Sequence, residues 1–331
     1  MRPARKRVLF HVLSLAVGLG LVVAIGWHAG LNRVLGDLGR LSPWILVPLS
    51  IVYAISWVFR GLRMKKIIRI LGGRMGLLES TGVELLGDLA NQVIPAKLGD
   101  VTKVVYLRRK RCLETGAGVA AALLVRLSDL LAVSLMTMAS LVLVTGEALS
   151  GLSVVVLAVA AVITVVTGGT ILFMRKPSAF SVLLAGPLRK HRPSVEGLAG
   201  RLRGDPGGLL VVLLQSCLVW AFDILTLYIF LDAFGVDLGF ARTAFVLLMS
   251  NLMKIIPLTP NGIGVYEGAM VVLLGRFAIP ESTAFTIAVM DHAFMNAFSL
   301  ILSVIALYGL GIRLSGLRSL TGEEELQAGE R

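Results

Sequence analysis

From Ser153 to Met174 the chain carries no charged side chain, and comparable apolar runs extend from Val8 to about Trp27 and, interrupted by Asp223, from Gly208 to Leu231. Each run is long enough to cross a hydrocarbon layer of roughly 30 Å as a helix of about 20 residues. Inside that layer every backbone N–H and C=O has to be paired within the protein, and a continuous apolar run achieves this as a helix. With 56% hydrophobic residues among 331 and a mean hydropathy of +0.86, the chain is too apolar for a soluble domain. The pattern predicts an all-α polytopic membrane protein.

The net charge of +12 would suggest nucleic acid in a soluble protein. Here most Lys and Arg lie in short segments between apolar runs, where they set orientation, so nucleic acid is not expected as a partner. Arg2, Arg5, Lys6 and Arg7 precede the first run, which exceeds the roughly 7–15-residue core of a signal peptide and therefore reads as a first helix. Trp44 to Phe59 then crosses back to a basic cytoplasmic loop containing Arg60, Arg63, Lys65, Lys66, Arg69 and Arg74. Ala117 to about Thr145 crosses outward, and Ser153 to Met174 returns to the basic segment Arg175 to Gly208. Gly208 to Leu231 crosses outward again, and Ser282 to Gly311 returns. Six full crossings place both termini in the cytosol of a cell membrane.

Two apolar segments do not fit that series, because each breaks before it could cross. Leu77 to Pro95 ends at NQVIPAKLGDV, with basic residues on both flanks, and reads as a re-entrant hairpin from the cytosol. Thr243 to Ala278 is interrupted at Pro257, Pro260 and Gly262, has no basic cluster at either end, and reads as a hairpin from outside. The two breaks share Asn, Ile-Pro, a lysine and glycine. Pro257 follows Pro95 by 162 positions (257 − 95), and Asp291 follows Asp129 by the same 162 (291 − 129). Hairpins entering from opposite faces are what an inverted-topology duplication requires. The expected division is 1–43 for the first helix and external loop, 44–152 for the first half, and 153–207 for a linking helix and basic loop. The second half then occupies 208–311 and a tail 312–331.

Ionisable groups within crossings cost about 2.5–3.5 kcal/mol each on insertion scales, so they are expected to face a bundle interior or cavity. Arg126 and Asp129, three apart on one helix face, can neutralise one another or meet a substrate. Asp291 and His292 have no cation beside them in sequence, and Lys254 of the adjacent hairpin is their expected partner. Asp223 reads as a helix-to-helix hydrogen bond or an end-of-helix group. Lys97, Asp100 and Lys103 follow the first break, and Asn261, Tyr266 and Glu267 follow the second. Half-helix N-termini present free N–H groups that suit an anion such as phosphate. Glu84 and Asp88, one turn apart, form a candidate carboxylate pair or neutralise Lys103 or Arg126. No GxSxG, P-loop, DxD or GxGxxG context is present, and the four histidines and two cysteines have no metal-binding spacing, so no catalytic residue, metal or cofactor is expected.

These motifs resemble the transmembrane region of lysylphosphatidylglycerol synthases and its stand-alone, flippase-like relatives, over nearly the whole chain. The second hairpin keeps the family's Pro-x-Gly-Ile-Gly-x-x-Glu as Pro260, Gly262, Ile263, Gly264 and Glu267. The first has Pro95-Ala96, Gly99-Asp100 and Lys103 where Pro-Gly, Gly-Glu and Arg are usual. Lys lacks the bidentate fork of Arg, so substrate preference is expected to differ. The resemblance implies translocation between leaflets of a lipid with an aminoacylated or polyprenyl-phosphate-linked head. A membrane-embedded glycosyltransferase, or an accessory subunit partnering a lipid-modifying enzyme, is the alternative. The 331 residues hold no aminoacyl-transferase domain, so synthesis of the aminoacyl lipid is not expected. Lys97, Lys103, Arg126 and Lys254 would then bind phosphate, and Asn91 and Asn251 would donate hydrogen bonds. Asp129, Glu267 and Asp291 would balance charge or bind an amine, with Asp100, Asn261, Tyr266 and His292 completing the site. The basic cytoplasmic face is expected to attract anionic lipid.

Overall fold

The computed structural model describes residues 3–39, 41–93, 99–144, 152–174, 200–254 and 259–310. The breaks at Pro95 and Pro257, Lys97, most of the basic segment after Arg175 and the tail from 311 lie outside the described residues. The described elements are helical: α1 (Pro3–Ala29), α2 (Leu31–Gly39), a 3-10 turn (Pro43–Ile45), α3 (Leu46–Ile70), α4 (Leu77–Val93), α5 (Asp100–Arg109) and α6 (Thr115–Leu143). They continue as α7 (Leu152–Met174), α8 (Pro206–Ala233), α9 (Phe240–Met253), a 3-10 turn (Pro260–Gly262), α10 (Val265–Gly275) and α11 (Glu281–Gly309). The protein is an all-α polytopic membrane protein.

Length separates two kinds of helix. With the turn before it, α3 spans 28 residues, α6 and α11 span 29 each and α8 spans 28, all apolar enough to cross a membrane. The α1 helix has 27 residues and α7 has 23, or about 40 and 35 Å at 1.5 Å per residue. By contrast α4, α5, α9 and α10 have 17, 10, 14 and 11 residues, about 15–26 Å each, too short for the roughly 30 Å layer. The ends of each short pair return to one face. Glu79, in the first turn of α4, accepts a hydrogen bond from Tyr106 of α5 at 2.9 Å and lies 3.8 Å from Lys110. Arg242, at the start of α9, stacks its guanidinium 5.6 Å from the Phe277 ring just past α10. Both pairs are re-entrant hairpins.

The repeat is visible in the elements themselves. The helices α8, α9, α10 and α11 start 160, 163, 165 and 166 residues after α3, α4, α5 and α6 (206 − 46, 240 − 77, 265 − 100, 281 − 115). Packing exchanges the halves, since α4 lies on α11 while α9 lies on α6. The equivalent helices α3 and α8 form the centre and run antiparallel: Ser56 pairs with Asp223, Arg63 with Ser216 and Lys66 with Asp205, one number rising as the other falls. An operation that carries α3 onto α8 must reverse the helix direction, so its axis lies across the helices and the duplication is inverted. The hairpins consequently enter from opposite faces.

Two boundaries differ from the sequence expectation. Gly30 to Ser42 is not simply a loop, because Leu31–Gly39 forms α2, whose Asp37 accepts a hydrogen bond from Thr283 of α11 at 3.2 Å. More consequentially, α3 does not end at Phe59. It continues to Ile70 and carries Arg60 and Arg63 into the bundle, where Arg63 is 1% exposed. Their partners lie on α6 and α8, far away in sequence, so a local reading assigns both arginines to a basic loop.

Candidate functional site

A cavity of about 220 Å³ opens between the halves, lined from both hairpins and from the central helices. Asn91 of α4 and Lys103 of α5 reach it from the first hairpin, and Asn251, Lys254 and Asn261 from the second. Helix α6 contributes Arg126 and Asp129, α3 contributes Trp57, Arg60 and Arg63, and α8 contributes Trp220. Glu84 and Asp88 of α4 complete the polar lining. The volume is below the roughly 300–1,000 Å³ of sites that enclose a drug-sized ligand, and suits a head group whose chains remain outside.

The first hairpin and α6 form a connected ion network. Lys103 donates to Glu84 at 2.7 Å and lies 3.2 Å from Asp100, which accepts from Arg126 at 2.6 Å. The Lys103 stem reaches Glu84 across Gly87, where a Cβ would stand 2.0 Å from the lysine Cε. Any side chain at 87 would displace the lysine. Asn91 Oδ1 caps the start of α5 by accepting from the Gly99 N–H at 2.9 Å. Arg126 and Asp129 do not pair, although they share a helix face. Arg126 turns to Asp100, and Asp129 is taken by Arg63, with Trp220 Nε1 a further 3.3 Å donor. On the opposite wall Asp223 accepts from Arg60 at 2.6 Å and Ser56 at 2.7 Å, which adds an arginine to the helix-to-helix hydrogen bond expected from sequence.

The second hairpin is built differently. Lys254 lies over the Tyr266 ring at 4.1 Å, its stem crossing Gly262, where a Cβ would meet the lysine Cγ at 2.6 Å. Asn261 donates to Asn296 Oδ1 at 2.5 Å, joining the break to α11, while Asn251 turns its amide to its own helix at Leu247. Tyr266, Glu267, Asp291 and His292 do not line the cavity. They are buried behind it, Tyr266 bonded to Asp291 at 2.5 Å and Glu267 to His292 at 2.7 Å. Lys254 is the member of that group that reaches the cavity wall. It stands over the ring of the tyrosine to which Asp291 is bonded.

Of the residues expected from sequence, Asn91, Lys103, Arg126, Asp129, Asn251, Lys254 and Asn261 line one cavity, and Asp100 supports two of them. Sequence reasoning missed Trp57, Arg60, Arg63 and Trp220. A usable signal was their spacing: Trp57, Arg60 and Arg63 recur every three residues on one face of an uninterrupted helical run.

Antiparallel repeats, two opposed hairpins and a charged cavity between them define a membrane protein with a polar site held inside its bundle. The chain belongs to the lysylphosphatidylglycerol synthase transmembrane-region family, whose model matches residues 11–303. It is similar to a glycosyltransferase, AglD, of Haloferax volcanii, 26% identical over 95% of this chain. The chain spans 57% of that relative's length. UPF0104 membrane proteins of Methanothermobacter thermautotrophicus and Pyrococcus horikoshii are 24% and 22% identical over 87% and 85% of the chain, and the matches cover 88% and 91% of their lengths.

Proposed function

We propose that this protein moves a lipid with a phosphate-bearing polar head between the leaflets of a cell membrane, with both of its own termini in the cytosol. The observation that carries the reading is the cavity itself, in which Arg60, Arg63, Lys103, Arg126 and Lys254 converge from both inverted halves around about 220 Å³. Charged groups within spanning helices are costly, and they mark a substrate path more often than a packing device. A cavity at the junction of inverted repeats is positioned for alternating exposure as the halves rock. The cations would hold the phosphate, while Glu84, Asp88 and Asp129 leave a place for a cationic or hydroxyl-bearing group on the same head. The acyl or prenyl chains would stay in lipid.

Leaflet exchange in proteoliposomes tests this, with fluorescent lysylphosphatidylglycerol and a fluorescent polyprenyl-phosphate sugar as probes. Exchange of one probe, reduced at least about tenfold by Arg126→Ala, is the expected outcome. Well-folded protein that exchanges neither would sink the proposal. A second reading, transfer of a sugar from a polyprenyl phosphate with Asp100 or Glu267 as base, rests on the name of the Haloferax relative. Much of that relative lies outside the match, and both carboxylates here are engaged, Asp100 by two cations and Glu267 by His292. Incubating purified protein with labelled polyprenyl-phosphate sugar and finding transferred sugar would favour it.

A further inference from the structure

Behind the cavity, on the far side of Lys254, lies a group of titratable side chains that head-group binding leaves unused. Tyr266 and Glu267 stand in the first turn of α10, and Asp291 and His292 on α11, about 15–17 Å along that helix from its start. All four are at most 4% exposed. Glu267 accepts at both oxygens, from the Gly264 N–H at 2.7 Å and from the imidazole at 2.7 Å. The proton in the second contact therefore belongs to His292 Nδ1, which in the neutral ring leaves Nε2 without one. Asp291 Oδ2 accepts from the Tyr266 hydroxyl at 2.5 Å. Asp291 Oδ1 and His292 Nε2 are buried with no hydrogen-bond partner among the described residues. Asp291 thus holds an unused lone pair in the bundle interior, and His292 lies beside the Asn261 backbone.

With the imidazole neutral, the charges of the group do not cancel. Glu267 and Asp291 bring two negative charges, and Lys254, over the Tyr266 ring, brings one positive. Among the described residues, the neighbouring elements supply no second cation to it. Asp223 of α8 is satisfied by Arg60 and Ser56, and Asp88 of α4 accepts from Gln92, whose amide also reaches Ser299 of α11. Tyr53 of α3 packs against Phe294 of α11. Toward the start of α11, His28 of α1 meets Glu281 at 3.8 Å and Asp37 of α2 meets Thr283, more than two turns away. One further positive charge would balance the group, and the described residues include no cluster of His, Cys, Asp and Glu suited to a metal ion.

We propose that Asp291, His292 and Glu267 form a proton-binding site that holds one proton, and that this proton is the coupling ion for movement of the lipid head. The second half of the statement rests on the transport reading. The proton comes from water and is taken up by the unused lone pair of Asp291, with no bond to substrate made or broken. Loading it removes one of two negative charges near Lys254. More of the ammonium's field then acts in the cavity, where Lys254 is also a wall, so an anionic head is held more strongly when the site is protonated. Glu267 and Tyr266 position the pair: the first fixes the imidazole tautomer and the second holds the carboxylate.

Infrared difference spectra of the full-length protein in lipid nanodiscs, taken between about pH 5 and pH 8, read proton uptake without any substrate. The expected result is a protonated-carboxyl band that disappears in Asp291→Asn and shifts in His292→Gln and in Tyr266→Phe, which removes the hydroxyl donor to Asp291. A second arm measures exchange of the same two fluorescent lipids across proteoliposomes with an imposed pH difference. Wild type should respond several-fold to the gradient, and Asp291→Asn should exchange at a rate the gradient does not alter. A titration identical in wild type and Asp291→Asn overturns the site. A normal titration with gradient-independent exchange overturns the coupling, and absence of all exchange with a normal titration overturns the transport reading while leaving the proton site intact.

Discussion

The two hairpins start from the same device and use it differently. In each, a lysine stem crosses a glycine beside the break, Lys103 over Gly87 and Lys254 over Gly262. In the first, the ammonium enters an ion network of Glu84, Asp100 and Arg126 that faces the cavity. In the second it lies on an aromatic ring, in front of a sealed set of hydrogen bonds among Tyr266, Glu267, Asp291 and His292. The repeated aspartates have diverged likewise. Asp129 stands at the cavity, held by Arg63, while Asp291 is fully buried. The two halves share one frame, and their charges are placed differently within it, an ion network at the cavity in the first and a buried group behind Lys254 in the second.

Removing one member of a buried ion pair sharpens this contrast most. Arg63→Ala leaves Asp129 uncompensated and is expected to lose about 3–5 kcal/mol, whereas Arg63→Met combined with Asp129→Leu should recover most of the loss. Thermal unfolding in detergent compares the two, and equal losses would show that the pair's charges are not what matters there. Gly87→Val comes next. Its side chain must displace Lys103, breaking the contacts to Glu84 and Asp100 together, at about 2–4 kcal/mol with loss of lipid exchange. If exchange survives, the first hairpin's network is packing and not site.

On the sealed side, Tyr266→Phe removes a single donor to Asp291 and should cost about 1–3 kcal/mol of stability, measured by the same melts. A cost no larger than that of an exposed tyrosine would erase the distinction between the hairpins. The smallest effect is expected outside both. Asp205 caps α8 through the Gly208 N–H at 2.6 Å and meets Lys66 at 3.0 Å, and these contacts hold its carboxyl below the ordinary value. Because the folded value is the lower one, the contribution is present near neutral pH and is lost as pH falls through it. Asp205→Ala should cost about 1 kcal/mol near neutrality and less in acid.

Much of the architecture is legible along the chain because it follows from local composition. Apolar run length identifies the spanning helices, and Pro and Gly within a run identify the hairpins. The shared offset of Pro95 and Pro257 with Asp129 and Asp291 announces a repeat that α3 to α6 and α8 to α11 then reproduce. Seven of the expected site residues meet at one cavity, since charges inside apolar runs have few other places to go. Pairing was not legible. Arg126 beside Asp129 satisfies every local rule for an ion pair, yet each finds a partner elsewhere, in Asp100 of the first hairpin and Arg63 of α3.

By itself, then, the sequence determined which apolar runs span as helices, where two of them break and that the halves are copies, because these depend on neighbours a few residues apart and on the need to pair the backbone in hydrocarbon. Only the tertiary structure decided that Arg60 and Arg63 belong to the bundle and that Glu267 and His292 stand behind the cavity instead of lining it. Charge neutralisation acts through space over about 3 Å, and the residues it joins here, such as Arg60 with Asp223 and Arg63 with Asp129, are brought together by helix packing with no trace in their spacing along the chain.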